Sequence, residues 1–262
     1  MITLTTDFGY KDYFVGQMKG VILSINPRVT IIDITHDIQP QCIEEGAFVI
    51  GSTYSFFPSG TIHIAVVDPG VGSGQRGIVL EAAGHYFIGP DNGIFSYVIS
   101  SAHHLRAVEI TETRFVRSKD SPTFHGRDVF SPVAAWLSKG VVMEEYGPFI
   151  GDLKRFSLPE PVTEGRAMCG EVIYVDRFGN AYANVRNRHL SQFGNEFCLT
   201  MNEVIVTPLK HYNEAMDKEL HYLINSSDYL ELFVNGDSAA KLFGIKKGDR
   251  VKIQRARHEK KC

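Results

Sequence analysis

The chain has little of what marks a secreted, membrane-bound or nucleic-acid-binding protein. Its 262 residues include only four cysteines, Cys42, Cys169, Cys198 and Cys262. None is spaced as a zinc knuckle or redox motif requires, so free thiols in a reducing compartment are expected. No apolar run reaches the length needed to cross a bilayer, and Asp7 and Lys11 fall where a signal peptide would place its apolar segment. The expectation is a cytoplasmic protein. Positive charge is not in excess either: 27 Lys and Arg against 30 Asp and Glu leave a net charge of -3. The basic stretch from Lys246 to Lys261 is interrupted by acids and apolar residues, which reads as a solvated strand and terminus and excludes a nucleic-acid footprint. His-x-His and His-x-x-x-His pairs are missing, and so are internal repeats and low-complexity tracts. What is present is an ordinary composition, 44% apolar and 22% charged, with material for two modest cores.

The stretch that organises the chain is TIHIAVVDPGVGSGQR, residues 61–76. Ile62 to Val67 is short, β-branched and nearly all apolar, the pattern of a strand buried on both faces of a parallel sheet. It stops at Asp68, and Pro69, Gly70, Gly72 and Gly74 then turn the backbone sharply past the carboxyl end of that strand, where open α/β sheets bind ligands. Taken alone, Asp68-Pro69-Gly70 reads first as a plain strand-ending turn, and it is the rest of the chain that favours more. The preceding chain reads as two β-α-β units: strand Ile2–Thr5, helix Phe14–Ile25, strand Val29–Ile34, helix Ile43–Phe57. That succession predicts a mostly parallel sheet with right-handed crossovers. Ile78–Ala82 and Tyr86–Ile88 suggest a hairpin around Ala83-Gly84, Leu105–Ile110 a further strand, Thr111–Pro122 a polar loop able to cover a site, and Val129–Leu137 an apolar helix.

The composition changes at SLPEPVTEG, between Phe156 and Gly165, which predicts a linker there. The first domain is therefore expected over residues 1–157 and the second over 165–262. The second reads as strands Glu171–Val175, Tyr182–Val185, Glu203–Val206, Tyr229–Val234 and Arg250–Ile253, a small antiparallel barrel or sandwich. One helix, Ser238–Phe243, is expected there, with Asp237 as its amino-terminal cap and Gly244 as its stop.

Polar clusters fall at the strand and loop ends of the first domain: Asp7 with Asp12, His36 with Asp37, Asp68 with Arg76, Asp91 with Asn92, and His125, Arg127 and Asp128. A carboxylate past the first strand, Asp7, can accept hydrogen bonds from a ribose diol, although an isolated Asp there is also a common Asx-turn. His36 and Asp37 read as local caps. His125 and the Gly126 amide lie near a helix amino terminus, where negative charge is favoured.

TDFG, VDPGVG, GPDNG, FHGRD and VDRFGN, in one order, resemble the S-adenosylmethionine hydroxide adenosyltransferases, the adenosine-forming relatives of fluorinase and chlorinase. The resemblance covers nearly the whole chain. It implies an α/β amino-terminal domain, a smaller β-rich carboxyl-terminal domain, and a homotrimer whose sites form between the first domain of one subunit and the second domain of its neighbour. It implies hydrolysis of S-adenosyl-L-methionine to adenosine and L-methionine, with no metal and no cofactor. By the same resemblance, Asp7 holds the ribose hydroxyls, Asp12 the methionine ammonium and Ser226 the methionine carboxylate. Phe178 and Asn180 face the adenine, with Asp176, Phe124 and Gly126 also in the substrate site. Asp68, Arg76 and His125 handle the water. Many members carry an Arg pair where this chain has Gln75-Arg76, so the arginine role falls on Arg76. The fluorinase has a Tyr in place of Asp68 and a Ser in place of Gly126. Three other readings remain open: a halogenase, a metal-dependent hydrolase using Asp68, Asp91, His125 and Asp128, and a non-catalytic adenosine or S-adenosylmethionine sensor.

Overall fold

A computed structural model describes residues 1–118, 122–194 and 197–255. It divides into two units, Met1–Leu158 and Pro159–Cys262. The first runs β1 (Ile2–Thr6), α1 (Phe14–Ile25), β2 (Ile31–Thr35), α2 (Ile43–Thr53), β3 (Ile62–Val66), β4 (Gly77–Ala82), β5 (His85–Pro90), α3 (Ser96–Ser101), β6 (Leu105–Glu109), α4 (Ser131–Leu137) and β7 (Phe149–Ile150). Its sheet has the order β2-β1-β3-β5-β4-β6-β7. The pairs β2–β1, β1–β3 and β3–β5 are parallel, and the rest antiparallel.

The side chains of β3 alternate between two cores. Ile62, Ile64 and Val66 join α1 and α4 in one, while Ala65 and Val67 join Ile50 of α2 and Val98 of α3 in the other. Burial on both faces is why the strand reads as a continuous apolar run. The first crossover leaves β1 toward β2 and the second passes back across β1 to β3, so α1 and α2 cover opposite faces and a crevice opens at the carboxyl ends of β1 and β3. The expected hairpin is β4–β5, and Ala83 and Gly84 both take positive φ, 51° and 78°, as a two-residue primed turn requires.

Two helix expectations need correction. α2 ends at Thr53 and a 3₁₀ turn, Tyr54–Phe56, follows. The helix expected from Val129 starts earlier, as a π-helical turn over Gly126–Phe130 that leads into α4. Pro132 explains part of this: it has no N–H for the Asp128 carbonyl one turn back, and that carbonyl accepts the Arg117 N–H at 2.8 Å instead. The Gly126 carbonyl is held by both the Ser131 N–H and, at 2.7 Å, its hydroxyl.

The second unit runs β8 (Val162–Glu164), β9 (Ala167–Val175), β10 (Ala181–Arg186), α5 (Asn187–Leu190), β11 (Phe197–Met201), β12 (Val204–Pro208), β13 (His221–Ile224), β14 (Tyr229–Phe233), α6 (Ala239–Phe243) and β15 (Arg250–Arg255). The order β10-β14-β13-β12-β11-β15-β9, with β9 pairing back onto β10, closes a seven-strand barrel, and β8 attaches to β9. Val172, Ala183, Leu199, Leu230, Leu232 and Val251 fill it. The barrel is not wholly antiparallel, because β12 and β13 run parallel. α6 is capped by Ser238, whose Oγ accepts the Lys241 N–H at 3.2 Å, and not by Asp237. Gly244 ends it at φ 64° as expected. Cys169 is a free thiol, Cys198 is disulfide-bonded against expectation, and Cys262 and the end of the basic stretch lie outside the described residues. Among the described residues no helix is long and apolar enough to cross a membrane.

Candidate active site

Parallel pairing sets the site. Thr6 of β1 lies opposite Val66 of β3, so Asp7 and Asp68 leave the sheet at the same end, on adjacent strands. A cavity of roughly 420 Å³ opens there, lined by Asp7, Asp68, Pro69, Val71, Phe124, His125 and Gly126 among others. Asp7 is half-buried, and its Oδ2 accepts the Gln41 N–H at 2.8 Å, which leaves its other lone pairs for a ligand. Phe124 is buried edge-on against Phe8 and Phe14, with ring centroids 5.5 and 5.3 Å away, and forms an apolar wall.

The glycine loop is seated against the segment that carries His125. Gly72 has φ +81°, and a Cβ there would collide with the Pro122 carbonyl. Gly72→Ala is therefore expected to cost about 1–2 kcal/mol from the left-handed conformation alone and to displace Asp68 from His125. A lower melting temperature together with reduced turnover is the expected result; unchanged values of both would show that the loop does not depend on this seat.

Asp68 is half-buried, and its carboxyl is pushed above the ordinary range by burial. The nearby His125, a hydrogen bond from Gln75 and the Gly70 N–H pull it back in part, while the charge of Asp7 adds to the rise. Asp68 and His125, expected to work together, do share this cavity. Arg76 does not line it. Its guanidinium is spent on Asp91, with both contacts at 2.8 Å, and on the Asp152 side chain and carbonyl at 3.0 and 2.8 Å. It lines a neighbouring cavity of roughly 370 Å³, which also reaches His125. The side chain beside Asp68 is Gln75, whose Nε2 donates to Asp68 Oδ1 at 2.9 Å. Sequence reading passed over Gln75 because a neutral amide carries no charge signal beside an arginine.

Other motif residues anchor the strand ends. Asp91 accepts from Arg76 and from the Lys154 N–H, and Asn92 donates to the Val67 carbonyl at 2.8 Å, fixing the exit of β3. Asp128 is buried and bidentate with Arg127 at 2.8 and 2.6 Å. His36 is fully buried, bonded to Thr6 Oγ1 at 2.8 Å, and belongs to the core. Among the described residues no three His, Cys, Asp or Glu side chains gather as a metal site, and of the four proposed metal donors Asp91 and Asp128 are committed to arginines. Asp12 is exposed in the loop before α1 and does not line the cavity.

The second unit has its own cavity, roughly 640 Å³, lined by Asp176, Phe178, Asn180, Tyr182, Tyr212 and Ser238 among others. Asp176 Oδ1 accepts the N–H groups of Phe178 and Asn180, both at 2.9 Å, and this turn lifts the Phe178 ring out to 78% exposure. Ser226 is exposed in the turn between β13 and β14 and is not part of that cavity. Tyr212, Tyr182 and the buried Glu231 behind them were not anticipated. A lone carboxylate inside the apolar run YLELF was the available signal for Glu231.

A family profile described as the SAM hydroxide adenosyltransferase N-terminal domain matches residues 2–147, and the corresponding C-terminal domain profile matches residues 170–252. The chain is 33% identical over 255 residues to an (R)-S-adenosyl-L-methionine hydrolase of Salinispora tropica, covering 96% of this chain and 97% of the relative. It is 29% identical to a fluorinase of an Actinoplanes species, covering 98% of each. A crystal structure of an uncharacterized conserved protein from Thermotoga maritima matches with a TM-score of 0.90 at 33% identity, covering 97% of this chain and 100% of that one.

Proposed function

The chain belongs to the SAM hydroxide adenosyltransferase family, and we propose that the cavity at the carboxyl ends of β1 and β3 is where it hydrolyses S-adenosyl-L-methionine to adenosine and L-methionine. The observation that carries this is the shared cavity of Asp7, Asp68 and His125 at the crevice between two parallel strands. Asp7 takes the ribose hydroxyls. Asp68 and His125 hold the attacking water and accept its proton as its oxygen bonds to C5′, and the C5′–sulfur bond breaks with its electron pair staying on sulfur. Methionine leaves as a neutral thioether, so the leaving group needs no proton and the chemistry calls for no metal or cofactor. Gln75, as a neutral donor, keeps Asp68 aimed without neutralising it, and Arg76 holds the loop ends in place through Asp91 and Asp152.

In this reading Phe178 and Asn180 receive the adenine, and Asp12 and Ser226 the two ends of methionine. Phe178 is exposed in the single chain, which supports a site completed between subunits of a homotrimer. A cytoplasmic setting belongs to the same reading; the free thiol of Cys169 is in keeping with it, and the Cys198 disulfide is the observation that weighs against it. Incubation with S-adenosyl-L-methionine followed by chromatography tests the activity: adenosine and methionine in equal amounts are expected, and ligand recovered intact would point to a sensor instead. The oligomer is tested separately by light scattering on active fractions. Activity is expected to fall on dilution as a trimer dissociates, and full activity in a monomeric species would contradict the assembly.

A further inference from the structure

Behind the second unit's cavity lies a carboxylate that the reaction does not use. Glu231, in the middle of β14 and opposite Tyr182 of β10, is only 1% exposed. A carboxylate so deeply buried is tolerated only when donors meet its lone pairs. Three do: the Tyr212 hydroxyl at 2.6 Å and Asn180 Nδ2 at 2.9 Å on Oε1, and Asn225 Nδ2 at 3.0 Å on Oε2. The Asn225 amide is itself fixed, since its Oδ1 accepts the N–H groups of Ser227 and Tyr229. Burial, with the negative charge behind the cavity adding to it, pushes the Tyr182 and Tyr212 hydroxyls up, so both stay protonated.

An ionised carboxylate only accepts hydrogen bonds, so the edge of Asn180 that faces it must be the NH₂ group. Turning the amide over would set its carbonyl oxygen against the carboxylate. Asn180 lines the cavity, and its Oδ1 has no hydrogen-bond partner among the described residues. One carbonyl oxygen and one remaining N–H are thus left for a ligand. That pair complements the 6-amino group and N7 of adenine, the two-point contact an asparagine makes with this base. A 6-oxopurine offers an acceptor at the same place and meets oxygen with oxygen.

We infer that Glu231 is a positioning residue for base recognition: through its bond to Asn180 Nδ2 it locks that amide with its carbonyl toward the cavity, so that the site takes a 6-aminopurine and rejects a 6-oxopurine. This rests on the reading that an adenosyl substrate places its base against Phe178 and Asn180. In Glu231→Gln the partner can present either an acceptor or a donor, and Asn180 is free to turn over.

The test compares kcat/KM for S-adenosyl-L-methionine and for S-inosyl-L-methionine, its 6-oxo analogue. The wild type is expected to favour the adenosyl substrate by about 10- to 100-fold, the discrimination of one good two-point contact. Glu231→Gln is expected to bring the ratio to within a few-fold of unity, chiefly through KM. Asn180→Ala should do the same, and adding Glu231→Gln to Asn180→Ala should change the ratio no further, which a general loss of structure would not reproduce. A Glu231→Gln enzyme that turns over the adenosyl substrate with the wild-type ratio overturns the inference, as does a further change of ratio in the Asn180→Ala background. Should Glu231→Gln not fold, hydrogen exchange of the Asn180 side-chain NH₂ in the wild type decides: protection from solvent is expected, and exchange at the rate of a free amide overturns it. Wild-type protein inert toward S-adenosyl-L-methionine would sink the hydrolase reading itself, a different outcome from an active enzyme with an unaltered ratio.

Discussion

Asp68→Asn and His125→Ala are each expected to lower kcat by about 10²–10⁴-fold, the usual contribution of a general base, while KM for S-adenosyl-L-methionine changes little. In the proposed reaction both side chains face the water, whereas ribose and base are held elsewhere. The same carboxylate gives a pH signature. Burial holds the Asp68 carboxyl above its ordinary value, so the acidic limb of kcat/KM should lie at higher pH than a normal carboxylate would place it, and Asp68→Asn should abolish that limb. Stability should move the other way. A carboxyl raised in the folded state binds its proton more tightly there than in the unfolded chain. Its ionisation therefore costs stability, a cost absent below the ordinary value and complete above the raised one. Asp68→Asn should then melt at a higher temperature than wild type at neutral pH, with the gap closing as pH falls through that window. Near-normal turnover in both variants would remove the pair from the mechanism, and a destabilised Asp68→Asn would show that its hydrogen bond from Gln75 outweighs its burial.

Hydrolysis carried out in ¹⁸O-labelled water should place the label in essentially every adenosine formed, at the C5′ oxygen, even when chloride is abundant. A halide must shed its water and be held by neutral donors, and an ionised Asp68 in a half-buried cavity repels it at short range where screening is weak. Water carries a proton that Asp68 and His125 can take. Gly126 works against a halide in a second way. A Cβ there would lie 3.0 Å from the Phe124 ring and 3.3 Å from Met18 Sδ, so a serine hydroxyl could be added only by moving a ring packed between Phe8 and Phe14. Unlabelled adenosine, or a 5′-halo-5′-deoxyadenosine peak that outgrows adenosine as chloride rises, would make the fluorinase relatives the better guide.

The central strand, the helix after β1 and the hairpin at Ala83-Gly84 could be read from the chain because each is set by local pattern: a β-branched apolar run, helical spacing, and two residues able to take positive φ. The barrel strands β11 and β13 were missed, since Phe197–Met201 and His221–Ile224 are short and carry polar residues that break any alternation. Their pairing is decided by closure of the ring, which no local window contains. The cap of α6 went to Ser238 over Asp237 because only one of two neighbouring oxygens can meet the Lys241 N–H.

By itself, then, the sequence determined the two-unit α/β and β-rich architecture, the carboxylates that leave β1 and β3, and membership in a family whose motifs run in order along the whole chain. Tertiary structure alone decided which neighbour each of those groups serves. Gln75 and Arg76 are neighbours just before β4, yet Gln75 faces Asp68 while Arg76 turns away to Asp91 and Asp152. Likewise, Glu231 reaches Asn180 only because β14 pairs with β10 across 51 positions of chain. Pairing over such distances is set by the closing of sheets and the burial of polar groups against one another, and nothing in the local order of residues records it.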